Sequence, residues 1–173
     1  WICDNTENPA ERLLWLASCK TFSNQVLVIR KLLEPNFKKW ISLKEKCTGL
    51  LKILNKNRVR FFKSDFVFNV NMILYSTLGL RYLCMSYFDF KEGKYPQSFV
   101  KASNSLNEFK KCINVLEDSE YGKWKNFYRG DWLTNIKSTV YSLETLRRFI
   151  RMHGDSPDFF LWSRSMLRSE TEK

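Results

Sequence analysis

The chain has 173 residues and a formal net charge of +11 at pH 7, and 44% of its residues are hydrophobic. Six glycines and four prolines are too few for a sandwich of many short strands joined by turns, so the composition predicts an all-α fold. The length fits one domain with a sizeable core, and we predict a single helical domain over residues 1–173. Because the sequence begins at Trp1, we expect a fragment or a C-terminal domain of a longer chain.

The cysteines and the single histidine exclude the common metal sites. The five cysteines stand at wide spacings, without a Cys-x-x-Cys pair. We therefore predict no metal, and the absence of a glycine-rich phosphate loop leads us to predict no cofactor. An odd number of cysteines within apolar helical patterns indicates buried free thiols. These residues are Cys3, Cys19, Cys47, Cys84 and Cys112.

The first half of the chain predicts two amphipathic helices. Asn8 precedes a proline and stands three residues before Glu11, which is the pattern of a capped helix start. An apolar face follows until Pro35, and this proline predicts that the first helix ends near residue 33. A second helix is predicted from Phe37 to about Leu54 by apolar residues at spacings of three and four.

The second predicted helix and the segment after it are strongly basic. Residues 36–63 contain nine lysines and arginines but one acid, Glu45. We predict that the partner is another domain or protein, and that this face can also contact an anionic glycan or a nucleic acid, while the alternative is an ordinary solvated surface. The residues that we expect to make the contact are Lys38, Lys39, Lys44 and Lys46.

Residues 66–90 form the most apolar stretch and predict a helix that is hydrophobic on every side. Such a helix is buried in a core or a membrane, and its length would permit a membrane span. Two asparagines and two charged residues interrupt the stretch, however, so we predict a buried central helix and no membrane span. The interrupting residues are Asn69, Asn71, Arg81 and Asp89.

Two further long helices and one short helix complete the prediction. Apolar spacing predicts a helix from about Phe99 to Leu116 and another from Asp131 or Thr134 to Gly154. A short C-terminal helix is predicted after Ser156. The sequence therefore predicts an all-α bundle of about five long helices around a buried central helix, with a short C-terminal helix.

The connection at residues 120–132 has the most unusual sequence of the chain, because it combines aromatic and charged residues between two helices. Its rings could form a stacking platform for sugars or bases, with charged groups that supply hydrogen bonds. The alternative is a packed connection in which the rings close the end of the bundle and Asp131 caps the last helix. The candidate ligand-binding residues are Trp124, Tyr128, Arg129, Asp131 and Trp132.

The same connection carries a resemblance to a known class of proteins. The run Gly-Lys-Trp-Lys-Asn-Phe-Tyr-Arg-Gly-Asp at residues 122–131, followed by Thr-Asn-Ile, resembles a segment in helical C-terminal regions of large bacterial carbohydrate-active enzymes, the glycoside hydrolases. The resemblance implies an accessory helical domain, since the chemistry of such enzymes lies in a barrel domain. No catalytic residue follows from it.

We therefore predict a non-catalytic helical accessory or interaction domain, and two other interpretations stay open. Arg148 and His153 fit the Arg-x4-His pattern of the HEPN-type helical ribonucleases, and the basic face would suit RNA. The length also suits a secreted helical cytokine-like ligand, although five cysteines fit poorly with a paired disulfide set. We predict no catalytic residue.

Overall fold

The structure is a computed structural model, and it describes residues 22–120, 125–128 and 135–154. Every regular element in these residues is helical, which confirms the predicted all-α class. The predicted helix start at Asn8 and the short helix after Ser156 lie outside the described residues. The elements are α1 (Phe22–Ile53), α2 (Lys56–Phe62), a π-helical segment (Lys63–Val67), α3 (Phe68–Lys91), α4 (Tyr95–Ser119) and α5 (Ile136–Gly154).

Helix α1 continues through Pro35, so the predicted helix end near residue 33 is wrong. A proline inside a helix lacks the backbone N–H and costs about 3 kcal/mol. The side chain of Asn36 donates from Nδ2 to the carbonyl oxygen of Leu32 at 2.9 Å, which adds a hydrogen bond to the turn before the proline but does not replace the N–H that the carbonyl of Lys31 loses. Leu33 and Cys47 are buried on either side of Pro35. Packing of both halves thus outweighs the local cost and joins the two predicted helices.

The described residues consequently contain four long helices, namely α1, α3, α4 and α5. Helix α3 packs against α1 and α4, and α4 packs in turn against α5. The main apolar cluster lies between α4 and α5, with partly buried side chains of α3 against it. It contains Leu106, Phe109, Cys112, Leu116, Ile136, Val140 and Leu143.

Small residues bring α3 and α4 close together. Ser105 donates from Oγ to the carbonyl oxygen of Gly79 at 2.7 Å. Ser86 and Ser98 each donate a hydroxyl to the other's carbonyl oxygen at 2.8 Å. These bonds satisfy polar groups that would otherwise be buried without partners.

The burial of α3 differs from the uniform pattern that its sequence predicts. No residue from 70 to 90 is exposed, but most of the large apolar side chains in this range are half-buried. The fully buried positions are mainly small: Val70, Leu74, Ser76, Thr77, Gly79, Cys84 and Ser86. The position of α3 at the centre of a five-helix bundle stays a prediction.

Candidate anion-binding face and groove

The basic residues predicted to meet an acidic partner lie mostly on the outer surface of α1, α2 and the π-helical segment. At about 100° per residue, the side of α1 that bears Lys38, Lys39 and Lys46 points away from the buried side. All nine cations of residues 36–63 are exposed except Lys44. We call the exposed eight the basic face: Lys38, Lys39, Lys46, Lys52, Lys56, Arg58, Arg60 and Lys63.

Lys44 belongs to the interior contacts of the fold. It is half-buried, and its Nζ donates to the hydroxyl of Tyr75 at 2.6 Å. The same ammonium group lies 4.5 Å from the centre of the Tyr75 ring. This contact joins α1 to α3. Lys44 therefore differs from Lys38, Lys39 and Lys46, the exposed lysines with which the sequence predicted it to act.

Little negative charge within the described residues offsets the basic face. Lys39, Lys46, Lys52 and Lys56 form no salt bridge with another described residue. Glu34 is bound by Arg81 through two hydrogen bonds of 2.9 and 3.2 Å. The hydrogen bond from Arg81 is the main reason that the pKa of Glu34 lies below its ordinary value. These four lysines therefore present their charge to solvent.

A groove of about 540 Å³ lies where the basic face meets the end of α4. One wall comes from α2 and the π-helical segment and supplies two cations, Arg60 and Lys63. The other wall is the last turn of α4, with Asp118 and Ser119, and the first turn of α3 forms the floor. We call this site the polar groove. Its lining residues are Arg60, Lys63, Ser64, Val67, Phe68, Asn71, Val115, Asp118 and Ser119.

Several polar atoms of the polar groove retain unused hydrogen-bonding capacity. The Oδ1 atom of Asn71 is buried and accepts no hydrogen bond. Ser119 donates its hydroxyl to the carbonyl oxygen of Leu116 at 2.7 Å, and its oxygen lone pairs remain as acceptors. An unsatisfied buried acceptor costs about 1–3 kcal/mol, and the Oδ1 of Asn71 is closed to solvent, so a ligand donor offsets this cost only when the Asn71 side chain turns toward the groove.

Part of the aromatic connection packs against the wall of the polar groove. The ring of Tyr128 is half-buried and stacks on Phe68, with ring centres 6.3 Å apart. The carboxylate of Glu120 accepts hydrogen bonds from the backbone N–H groups of Asn126 at 2.8 Å and Tyr128 at 2.7 Å. Tyr128 therefore supports Phe68. The other candidate residues of the platform, Trp124, Arg129, Asp131 and Trp132, lie outside the described residues.

The structure thus brings together two regions that the sequence presents separately, the end of the basic face and the aromatic connection. Sequence reasoning missed Phe68, Asn71 and Ser119 as site residues. Asn71 had a usable signal, because an amide inside an apolar run must find a partner or remain unsatisfied. Nothing in the sequence indicated that residues near 64 and 119 face each other.

The two residues of the candidate ribonuclease pair lie in the last two turns of α5. Arg148 and His153 are five residues apart on α5, which separates them by about 140° around the helix. His153 lies beside the rings of Phe149 and Phe90, at 4.3 and 5.4 Å between ring centres. Its Nδ1 is 3.2 Å from the carbonyl oxygen of Phe149. These contacts place His153 in an aromatic cluster at the end of α5.

The described cysteines are free and buried, as the sequence predicts for buried thiols. Burial raises the pKa of the Cys84 thiol to about 11 and that of Cys112 to about 12. Both are therefore protonated at neutral pH and poor nucleophiles.

In the part of the chain that the structure describes, no three His, Cys, Asp or Glu side chains group into a metal site. No helix there has the length and apolar character to cross a membrane.

A second cavity, of about 420 Å³, lies among α1, α3, α4 and α5. Its lining is almost wholly apolar, and its two serines, Ser86 and Ser98, bond each other as described above. We call it the apolar cavity. Among its lining residues are Val26, Ile29, Leu80, Leu83, Cys84, Tyr87, Phe90, Leu146, Phe149 and Ile150.

Comparison of the chain with models of protein families, with curated proteins and with solved structures finds no match. The resemblance of residues 122–136 to helical regions of carbohydrate-active enzymes therefore stays a prediction. We base the function proposed below on the contacts, burial and charge of the described residues.

Proposed function

We propose that this chain is a non-catalytic helical interaction domain, serving as an accessory domain, that binds an anionic polymer through the basic face. The observation that supports this proposal most directly is the exposure of eight cations along three consecutive elements. Only Glu45 is acidic within residues 36–63. A surface of this kind attracts polyanions because binding releases the counterions condensed on them.

The shape of the basic face favours an extended ligand. From Lys38 to Lys52 the helix rises about 21 Å, at 1.5 Å per residue. Exposed lysines along such a length do not converge on one small anion, but each can meet a different charge of a chain molecule. Among anionic polymers we put an acidic glycan first, in keeping with the resemblance of the aromatic connection.

Single-stranded nucleic acid is the second candidate, and a separate observation favours it. Phe61 and Phe66 are 65% and 54% exposed, and they stand beside Arg58 and Arg60 in the sequence. Exposed rings near arginines are typical of surfaces on which unpaired bases stack. Replacement of Phe61 and Phe66 by serine should weaken nucleic acid binding strongly and binding to an acidic glycan little.

The proposal is tested by retention on immobilised heparin and on polyuridylate. We expect Lys39→Glu with Lys46→Glu to elute at clearly lower salt than the unchanged protein. The matched control is Lys91→Glu with Arg148→Glu, which changes the net charge equally at exposed positions on α3 and α5. Lys44 is left unchanged because its ammonium group binds Tyr75.

The two double variants separate a specific face from general charge. On polyuridylate, each lost lysine contact should lower the slope of log affinity against log salt by about one. Equal losses in the two variants would show that only net charge matters and would reject the basic face as a binding surface. Preferential retention on heparin over polyuridylate would favour the glycan over the nucleic acid.

A further inference from the structure

We infer that the polar groove is the specific subsite of this domain and holds one acidic sugar unit, a pyranose ring with a single carboxylate or sulfate group. The inference rests on the proposed function, because the groove continues the basic face through Arg60 and Lys63. Its volume of about 540 Å³ is within the range of small-molecule sites, about 300–1,000 Å³.

The charges of the polar groove select the ligand. Lys63 on one wall can bind an anionic group through charge-assisted hydrogen bonds, and the neighbouring Arg60 adds positive charge to the same wall. Asp118 on the opposite wall is exposed and would repel a phosphate with two charges. A carboxylate accepts hydrogen bonds well from hydroxyl groups. The combination fits a molecule with one negative group at one end and hydroxyl donors at the other.

The uncharged polar atoms point to the same kind of ligand. The Ser64 and Ser119 oxygens keep lone pairs that can accept hydrogen bonds, because each hydroxyl donates to a neighbouring oxygen of the protein. The Oδ1 of Asn71 is closed to solvent, so it reaches a ligand only when its side chain turns toward the groove. Ser64 donates its hydroxyl to the carbonyl oxygen of Phe61 at 3.0 Å. A polyhydroxylated ring offers several donors within a few ångströms, whereas inorganic phosphate and simple anions offer few.

The apolar part of the lining supplies a surface for the C–H face of a sugar ring. Val67, Phe68 and Val115 line the groove between its charged walls. The stack of Tyr128 on Phe68 and the two hydrogen bonds from the connection to Glu120 hold this wall in place. A preformed wall lowers the entropy lost when a ligand binds.

Isothermal titration calorimetry with the full chain tests the inference, using trigalacturonate, neutral chitotriose and AMP as probes. We expect trigalacturonate to bind more tightly than the other two. Lys63→Gln should lower its affinity about tenfold through loss of one charge-assisted hydrogen bond. Lys91→Gln, at an exposed position outside both the basic face and the groove, is the matched control and should leave this affinity unchanged. Lys56→Gln, on the basic face but outside the groove, should lower the affinity less than Lys63→Gln. Lys63 and Lys56 are both exposed, so both variants should fold, as thermal unfolding would verify.

Asp118→Asn distinguishes a sugar from a nucleotide. For an acidic sugar, the change removes a carboxylate that accepts hydrogen bonds from hydroxyl groups, so the affinity for trigalacturonate should fall. For a nucleotide, the change removes a repulsive negative charge, so the affinity for AMP should rise. Tighter binding of AMP than of trigalacturonate, with a further gain in Asp118→Asn, would overturn the sugar assignment.

The remaining outcomes separate the inference from the proposed function. No binding of any probe, with heparin retention that still depends on Lys39 and Lys46, would overturn the groove inference and leave the proposed function standing. If the unchanged protein binds no probe and is also not retained on heparin, both the groove inference and the proposed function are overturned. Equal weakening of trigalacturonate by Lys63→Gln and Lys56→Gln would also reject the groove, because it would indicate attraction to the whole basic face.

Discussion

The polar groove and the apolar cavity both border α3, one near its first turn and the other along its second half, yet their polar groups are used differently. In the apolar cavity Ser86 and Ser98 satisfy each other. In the polar groove Asn71 has a buried acceptor without a partner, and among the described lining residues two cations, Arg60 and Lys63, accompany one acid, Asp118. The comparison teaches that the serines of the apolar cavity are used within the fold, whereas Lys63 and the serine oxygens of the polar groove can meet a ligand.

The largest expected effect concerns the core between the two regions. Leu74 is 3% exposed, and Leu74→Ala should lower the free energy of unfolding by about 2–5 kcal/mol. Leu83 borders the apolar cavity and is half-buried, so Leu83→Ala should cost less, near the lower end of this range. Chemical denaturation measures both. Equal costs would show that the apolar cavity is as tightly packed as the core.

The next effect concerns the close approach of α3 and α4. A Cβ atom at Gly79 would lie 2.6 and 2.7 Å from two ring carbons of Phe109, which is itself buried. Because this ring has little room to move, Gly79→Ala should destabilise the protein by about 1–3 kcal/mol.

Gly49→Ala is the control for that change, since nothing lies within 4 Å of its Cβ position. Gly49 is in the middle of α1, where alanine is the better helix former by about 1 kcal/mol. The midpoint temperature of thermal unfolding should therefore fall in Gly79→Ala and rise in Gly49→Ala. A stabilising Gly79→Ala would contradict the close contact.

A smaller effect compares the polar groups of the two regions directly. Ser86→Ala removes the hydrogen bond from Oγ to the carbonyl oxygen of Ser98 and should cost about 1 kcal/mol. Asn71→Leu removes an unsatisfied buried acceptor and should leave stability unchanged or raise it. If Asn71→Leu destabilises as much as Ser86→Ala, then Asn71 serves the fold and the comparison fails.

The smallest expected effect is the pH dependence of the free energy of unfolding that comes from the ion pair of Glu34 on α1 with Arg81 on α3. The pKa of Glu34 is lowered, mainly by its hydrogen bond to Arg81, so its stabilisation is present above the ordinary pKa of about 4.3. It is lost as the pH falls from that value through the lower pKa of the folded state. The Glu34 side chain is 42% exposed, so solvent screening keeps the contribution below about 1 kcal/mol. Glu34→Gln should therefore flatten the stability curve between about pH 5 and pH 3.

Local patterns in the sequence predicted the helical class and the apolar faces of α4 and α5, because a helix repeats every 3.6 residues regardless of its neighbours. They failed at Pro35, where packing on both sides and the side chain of Asn36 outweigh a strong local stop signal. Lys44 and Lys46 look alike in the sequence, yet only Lys44 meets Tyr75. The polar groove depends on residues near 64 and 119 coming together, and no local pattern contains that information.

The most direct test of the account is to follow the backbone amide signals of the protein by NMR while trigalacturonate is added. We predict that the largest shifts fall on residues 60–71 and 115–119, around the polar groove, and that residues 80–90 and 146–150 around the apolar cavity change little. Shifts centred on the apolar cavity, or no shift at any residue, would contradict the account.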